Sequence, residues 1–169
     1  GERLDRGDID LAFVGDAFVD ASHPQALVIE DAYVCIVWKG NRHVAKRLTH
    51  STYLKLGHVG TRYGPQSIPG AEQHAIDALH LNRRVEVVAT SPAMLAALVT
   101  GTDRIATIGA KLAARQAQEM PIRILQPPWQ MPALRIMMQW NLRREGDGAL
   151  DWLRRSVHDV AKSTGCVPG

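Results

Sequence analysis

The residues in this chain that could do chemistry stand where apolar runs end. Ser91 precedes Pro92 just after the run 83–89 (RRVEVVA), and Thr107-Ile108-Gly109 closes the next run, 104–108. A serine at such a turn caps a helix with its hydroxyl. The helix start then offers free N–H groups and a positive dipole end to a carboxylate or phenolate. A Ser-Pro pair is equally a good helix start with no ligand, and both readings stand. Thr90 is a weaker neighbour of Ser91, and Gly109 allows backbone to approach a ligand closely or simply turns the chain. His58, directly after a glycine, is suited to hydrogen-bonding an aromatic acid or to a structural place in the core. Thr61 and Arg62 follow in the same run with alternating directions, so one of the two faces any given side; Arg62 is a carboxylate clamp or a solvated arginine. Gly15, Asp16 and Phe18 follow the run 9–14, with Phe18 able to stack on a ring or to pack. Met94, Met138 and Trp140 are walls of a binding site or parts of the core.

These groups suit binding better than catalysis. The chain has no G-x-S-x-G elbow, no G-x-G-x-x-G or P-loop, no metal-spaced histidine pair and no C-x-x-C. No catalytic residue, cofactor or metal is therefore expected. Hydrophobic residues make up 46% of the 169, enough for a proper core. The net charge of +3 is scattered: residues 1–85 carry 10 Lys+Arg and 10 Asp+Glu, so neither half is a polybasic arm. Cys35, inside AYVCIVW, is expected to be a buried small hydrophobe, and Cys166 to lie in a frayed Gly/Pro-rich tail. No run approaches the roughly 18 apolar residues of a membrane span, and no signal peptide is visible. The expected compartment is the cytoplasm.

The elements that must hold these residues are legible from period and punctuation. IDLAFV (9–14) reads as a strand buried on both faces. Segments 26–30 and 32–39 read as two further strands, with a linker over 41–48. Thr49 caps a short helix ended by Gly57, followed by a strand over 58–63 and a helix over 70–79. Residues 81–115 then read as strand, helix, strand, helix, with Gly101 ending the first helix. Strands over 121–125 and 133–142 and an amphipathic helix over 149–162 complete the chain. Parallel βαβ units of this kind bind small molecules at the carboxyl edge of the sheet.

RLDRGDIDLAFVG, AYVCIVWKGNRHVA and TSPAMLAALVTGTDRIATIGAKLA, in this order, resemble segments of the effector-binding domain of LysR-type transcriptional regulators. Trp38-Lys39-Gly40-Asn41, Gly57-His58-Val59, residues 83–88 and 101–107, and the C-terminal Trp140 and Trp152 resemble the branch responding to aromatic inducers, the nodulation and naphthalene or nitroarene degradation regulators. The resemblance implies an α/β, two-lobed, periplasmic-binding-protein-like (type 2) fold. Residues 1–44 and 133–169 would form lobe one, incomplete at its N-terminus, and 45–132 lobe two. The winged helix-turn-helix would be absent. It also implies an aromatic acid, phenol or flavonoid bound in the inter-lobe cleft by Ser91, His58, Thr107, Thr90, Ile108, Gly109, Gly15, Asp16, Phe18, Thr61 and Arg62. A homo-oligomer would form, a dimer of regulatory domains and a tetramer at full length. DNA would be reached only through the N-terminal domain, with no membrane partner. A transporter's solute-binding protein is the alternative, and a small doubly wound enzyme a more distant one.

Overall fold

In the computed structural model, which describes residues 1–167, Gly, Pro and Asn punctuation cuts the apolar runs into short elements. They begin with helix α1 (Glu2–Asp5), strands β1 (Leu11–Gly15), β2 (Gln25–Asp31) and β3 (Tyr33–Trp38), helix α2 (His50–Lys55), and strands β4 (Gly57–Tyr63) and β5 (Ile68–Pro69). Helix α3 (Ala71–Ala78), β6 (Arg84–Ala89), α4 (Leu95–Val99), β7 (Ile105–Gly109), α5 (Ala110–Glu119), β8 (Ile122–Leu125), β9 (Leu134–Trp140) and α6 (Gly148–Ser163) follow. The chain divides into two compact units: Gly1–Asp31 with the segment from Leu134 onward, and Ala32–Ala133.

The first unit is an antiparallel sheet in the order β1-β9-β2. Met138 of β9 and Val28 of β2 pack with Ala161 of α6 and Val167, bordered by Ile136, Trp140 and Val157. Asp147 starts α6 by accepting hydrogen bonds from the N–H groups of Ala149 and Leu150, as an N-cap should. Two expectations fail here. IDLAFV is not buried on both faces, because β1 lies at the edge of this sheet and leaves Phe13 54% exposed. The tail is not frayed as far as Val167: the Cys166 N–H donates to the Ala161 carbonyl at 2.7 Å, and the Glu30 N–H donates to the Cys166 carbonyl at 2.6 Å. Pro168 and Gly169 lie outside the described residues.

The second unit is built on β4, which pairs in parallel with β6 on one side and β7 on the other. Beyond β7 comes β3, antiparallel to both β7 and β8. Strand β3 is buried on both faces, and its alternation splits the unit into two layers. Val34 and Ile36 pack with Leu95, Ala96 and Val99 of α4 and Ala113 of α5. Cys35 and Val37 pack with Val44, Leu48, Tyr53 and Leu56 on the opposite side. This central strand explains why the first crossing falls at residue 31/32 and not after 44, as the sequence suggested: β3 is bonded into the second sheet along its whole length. Gly57, expected to stop α2, instead opens β4, and Thr49 caps α2 by accepting from the Thr52 N–H. Strand β6 alternates in sequence, yet Val85 and Val88 are 38% and 51% exposed, because among the described residues β6 pairs with β4 alone, at the end of the sheet.

Candidate functional site

Three parallel strands of the second unit end at one edge of the sheet: β4 at Thr61 to Tyr63, β6 at Ala89, and β7 at Gly109. After β6 and β7 the chain turns there into a helical segment, and after β4 it turns back through the short antiparallel β5, which brings Arg62, Thr90, Ser91 and Gly109 to a common rim. Ser91 is the N-cap the sequence suggested, with Pro92 at the first position of a 3-10 turn leading into α4. Its Oγ accepts from the Ala93 N–H at 3.2 Å, and the hydroxyl proton remains available to a ligand. Thr90 is exposed, its hydroxyl 3.9 Å from the Met94 sulfur. Arg62 is exposed and donates from Nη1 to the Ser67 carbonyl at 3.0 Å. Gly109 caps α5 while pairing with Tyr33 of β3.

Four other candidates turn inward. Thr61 is buried, its N–H and hydroxyl both donating to the Glu72 carboxylate, at 2.8 and 2.6 Å. Thr107 is buried at 2% exposure, sharing a hydrogen bond of 3.0 Å with the Tyr53 hydroxyl and lying 3.9 Å from the Cys35 sulfur. Ile108 packs into the α4–α5 layer. His58 sits near the opposite, amino end of β4, wholly buried, with Nε2 2.8 Å from the Tyr53 carbonyl and its ring edge-on to Tyr53. Burial drives its pKa down to about 4, so the ring is neutral and structural at physiological pH. The β period explains all four, since alternate residues of β4 and β7 face the two packed layers and none of these side chains reaches the rim.

In the first unit Gly15 ends β1 in a buried position opposite Ile136. Asp16 begins the 3-10 turn Asp16–Phe18 and accepts from the Ala17 N–H at 2.9 Å, while Phe18 is half-buried. Met138 belongs to the core. Trp140 carries the Arg154 guanidinium 4.7 Å above its ring, a cation–π contact. Met94 remains 45% exposed beside Ser91.

Behind the rim the structure adds a polar cluster that the sequence did not announce. Arg83, with a side chain 1% exposed, reaches Gln73 Oε1 from Nε at 3.0 Å and from Nη2 at 2.7 Å, and Glu72 Oε1 from Nη2 at 3.5 Å. Glu72 in turn holds Thr61, so β4, the α3 start and the residue before β6 are tied together. Two glycines make room for this. A Cβ on Gly70 would fall 1.9 Å from Thr61 Oγ1, and one on Gly60 3.3 Å from Arg83 Nη2. Nothing in Asn82-Arg83-Arg84 separates the buried arginine from the exposed one; the small residues at 60 and 70 were the available signal. Among the described residues no group of three His, Cys, Asp or Glu is placed to hold a metal, and no helix is long and apolar enough to cross a membrane.

No family model matches the chain. Nodulation protein D 1 of Bradyrhizobium diazoefficiens is 31% identical over 160 residues, covering 95% of this chain and 51% of that protein. The chain thus spans about half the length of the curated relatives it matches. Among solved structures, the regulatory domain of MexT, a transcriptional activator of Pseudomonas aeruginosa, superposes with a TM-score of 0.74 at 21% identity, over 93% of this chain and 75% of that one. CbnR, a LysR family transcriptional regulator, superposes with a TM-score of 0.68 at 13% identity, over 95% of this chain and 55% of that one. The α/β fold is the periplasmic-binding-protein-like, type 2 fold of such regulatory domains. Sequence kinship with the nodulation D proteins and this fold together place the chain among the LysR-type transcriptional regulators, as a segment of their effector-binding domain.

Proposed function

We propose that this chain senses a small aromatic effector on behalf of a LysR-type regulator. The first and second units act as regulatory subdomains I and II, and the ligand is held at the carboxyl edge of the second unit. The observation that carries the reading is the rim itself: Ser91 at a helix start with an uncommitted hydroxyl proton, beside Thr90, Gly109 and the exposed guanidinium of Arg62. Donors of this kind suit a carboxylate or phenolate, and the exposed Met94 beside Ser91 supplies apolar surface. Thr61, Thr107 and Ile108 shape the rim from behind without touching the ligand, while His58, at the amino end of β4, takes no part. Binding would favour one arrangement of the two subdomains. In the longer protein this would be passed through a homo-oligomer to an N-terminal DNA-binding domain in the cytoplasm. No catalytic step is involved.

A thermal-shift screen tests this, using aromatic acids, phenols and flavonoids with sugars and amino acids as controls. A ligand at a hundred times its Kd adds about 2.7 kcal/mol to the folded state. The expected result is a dose-dependent rise confined to one aromatic class, lost in Ser91→Ala and retained in the exposed control Lys46→Ala. A rise with sugars or amino acids alone would overturn the aromatic assignment.

A further inference from the structure

At the amino edge of the same sheet lies a groove of about 530 Å³, the size of a small-molecule site. It is formed by the C-terminal end of α2, the starts of β4 and β6, the turn before β7 and His43. Three fixed cations from three separate elements converge on it: Lys55 of α2, Arg84 of β6 and Arg104 before β7. One carboxylate, Glu86, serves both arginines, through Oε1 to Arg84 and through Oε2 to Arg104 Nε at 2.9 Å. The other, Asp103, lies 3.3 Å from His43 Nε2. Lys55 has no carboxylate partner among the described residues. Arg84 also points Nη2 at the Lys55 carbonyl, 3.4 Å away, covering an acceptor at the end of α2 that would otherwise repel an anion.

Gly57 is part of the construction. A Cβ there would meet the Glu86 carboxylate at 2.2 to 2.5 Å, so only glycine lets Glu86 lie across the groove between its arginines. An exposed ion-pair network contributes little to stability, and bringing a third, unpaired cation to it raises local repulsion. That repulsion is relieved if the groove receives negative charge from outside. Each arginine presents up to five donors in a fixed fork, so donors remain on both after Glu86 is served.

We propose that this groove is a second ligand site, separate from the carboxyl rim of the same unit, and that it takes a small dianion. A phosphate group or a dicarboxylate supplies two negative charges that Lys55, Arg84 and Arg104 can share. Both need the same chemistry, so the two are separated by the probes.

The test is a titration of the chain with inorganic phosphate and, in parallel, with succinate, each against sodium chloride of equal ionic strength. It is followed residue by residue through amide chemical shifts. The expected result is saturable shifts confined to residues 52–57, 84–86 and 102–104 with one of the two probes. Lys55→Ala combined with Arg84→Ala, both exposed, should weaken binding about tenfold or more. Glu86→Gln, which releases the two arginines, should strengthen it severalfold. Ser91→Ala should leave it unchanged, so this site and the effector site fail independently. Shifts equal to those in sodium chloride, or a Kd unmoved by the Lys55/Arg84 pair of substitutions, would overturn the proposal; so would weaker binding in Glu86→Gln.

Discussion

His58 shows how a residue type well suited to a ligand becomes part of the core. Its ring is wholly buried against Tyr53, and burial holds its pKa near 4, below the ordinary 6.5. The unfolded chain therefore takes up a proton first as pH falls. Stability from the neutral ring is full above about pH 6.5 and is lost as pH drops toward 4, by about 3 kcal/mol at most. In His58→Gln this part of the acid loss should vanish, which urea unfolding at pH 7.5 and pH 4.5 would show; an unchanged pH dependence would count against the assignment. Cys35 obeys the same rule, its thiol pushed up to about 12 by burial. Legibility divides along this line. Ser91 was readable because a cap is a local device, set by its own sequence neighbours. The inward turn of Thr61, Thr107 and His58 was not, because which face of a strand is covered depends on α2, α3 and the loop 41–48, all distant choices. Arg83 and Arg84 differ only in what the fold puts beside them.

At the scale of elements the sequence was most informative where termini are marked by side chains. Thr49, Ser91 and Asp147 each accept backbone N–H bonds at a helical start, and Gly101, at φ +74°, leaves α4 in a conformation costly to other residues. Asp147 satisfies two N–H groups of the 16-residue α6. Asp147→Ala should therefore cost about 1 kcal/mol, and Asp147→Ser much less; equal losses in the two would mean that the cap is not the cause. The strands were less legible at their edges. IDLAFV carries the composition of a buried strand and RRVEVVA is β-branched and alternating, yet β1 and β6 leave Phe13, Val85 and Val88 exposed. Composition reports what a strand can pair with, whereas its neighbours are fixed by sheet order. Antiparallel β3, inserted between β7 and β8, is likewise invisible to periodicity, since its buried run reads the same in either direction.

The whole molecule is unequal in how its two units use the chain. The second is one uninterrupted stretch with two buried layers of its own, on either side of a sheet whose pairing lies entirely within Ala32–Ala133. A protein cut to residues 32–133 should therefore keep a cooperative unfolding transition and its α/β circular dichroism. A non-cooperative melt would show that the other unit is needed to complete its core. The first unit has no such independence, since Leu11 of β1 pairs with Trp140 of β9 across most of the chain. During synthesis that separation becomes a delay. With translation at its usual pace, β1 waits on the order of ten seconds for its partner strand to be made, while the intervening unit has everything it needs to form. The newborn protein thus has a fixed order of assembly, and the exposed edge holding Phe13 is a liability that chaperones or neighbouring chains meet before β9 does.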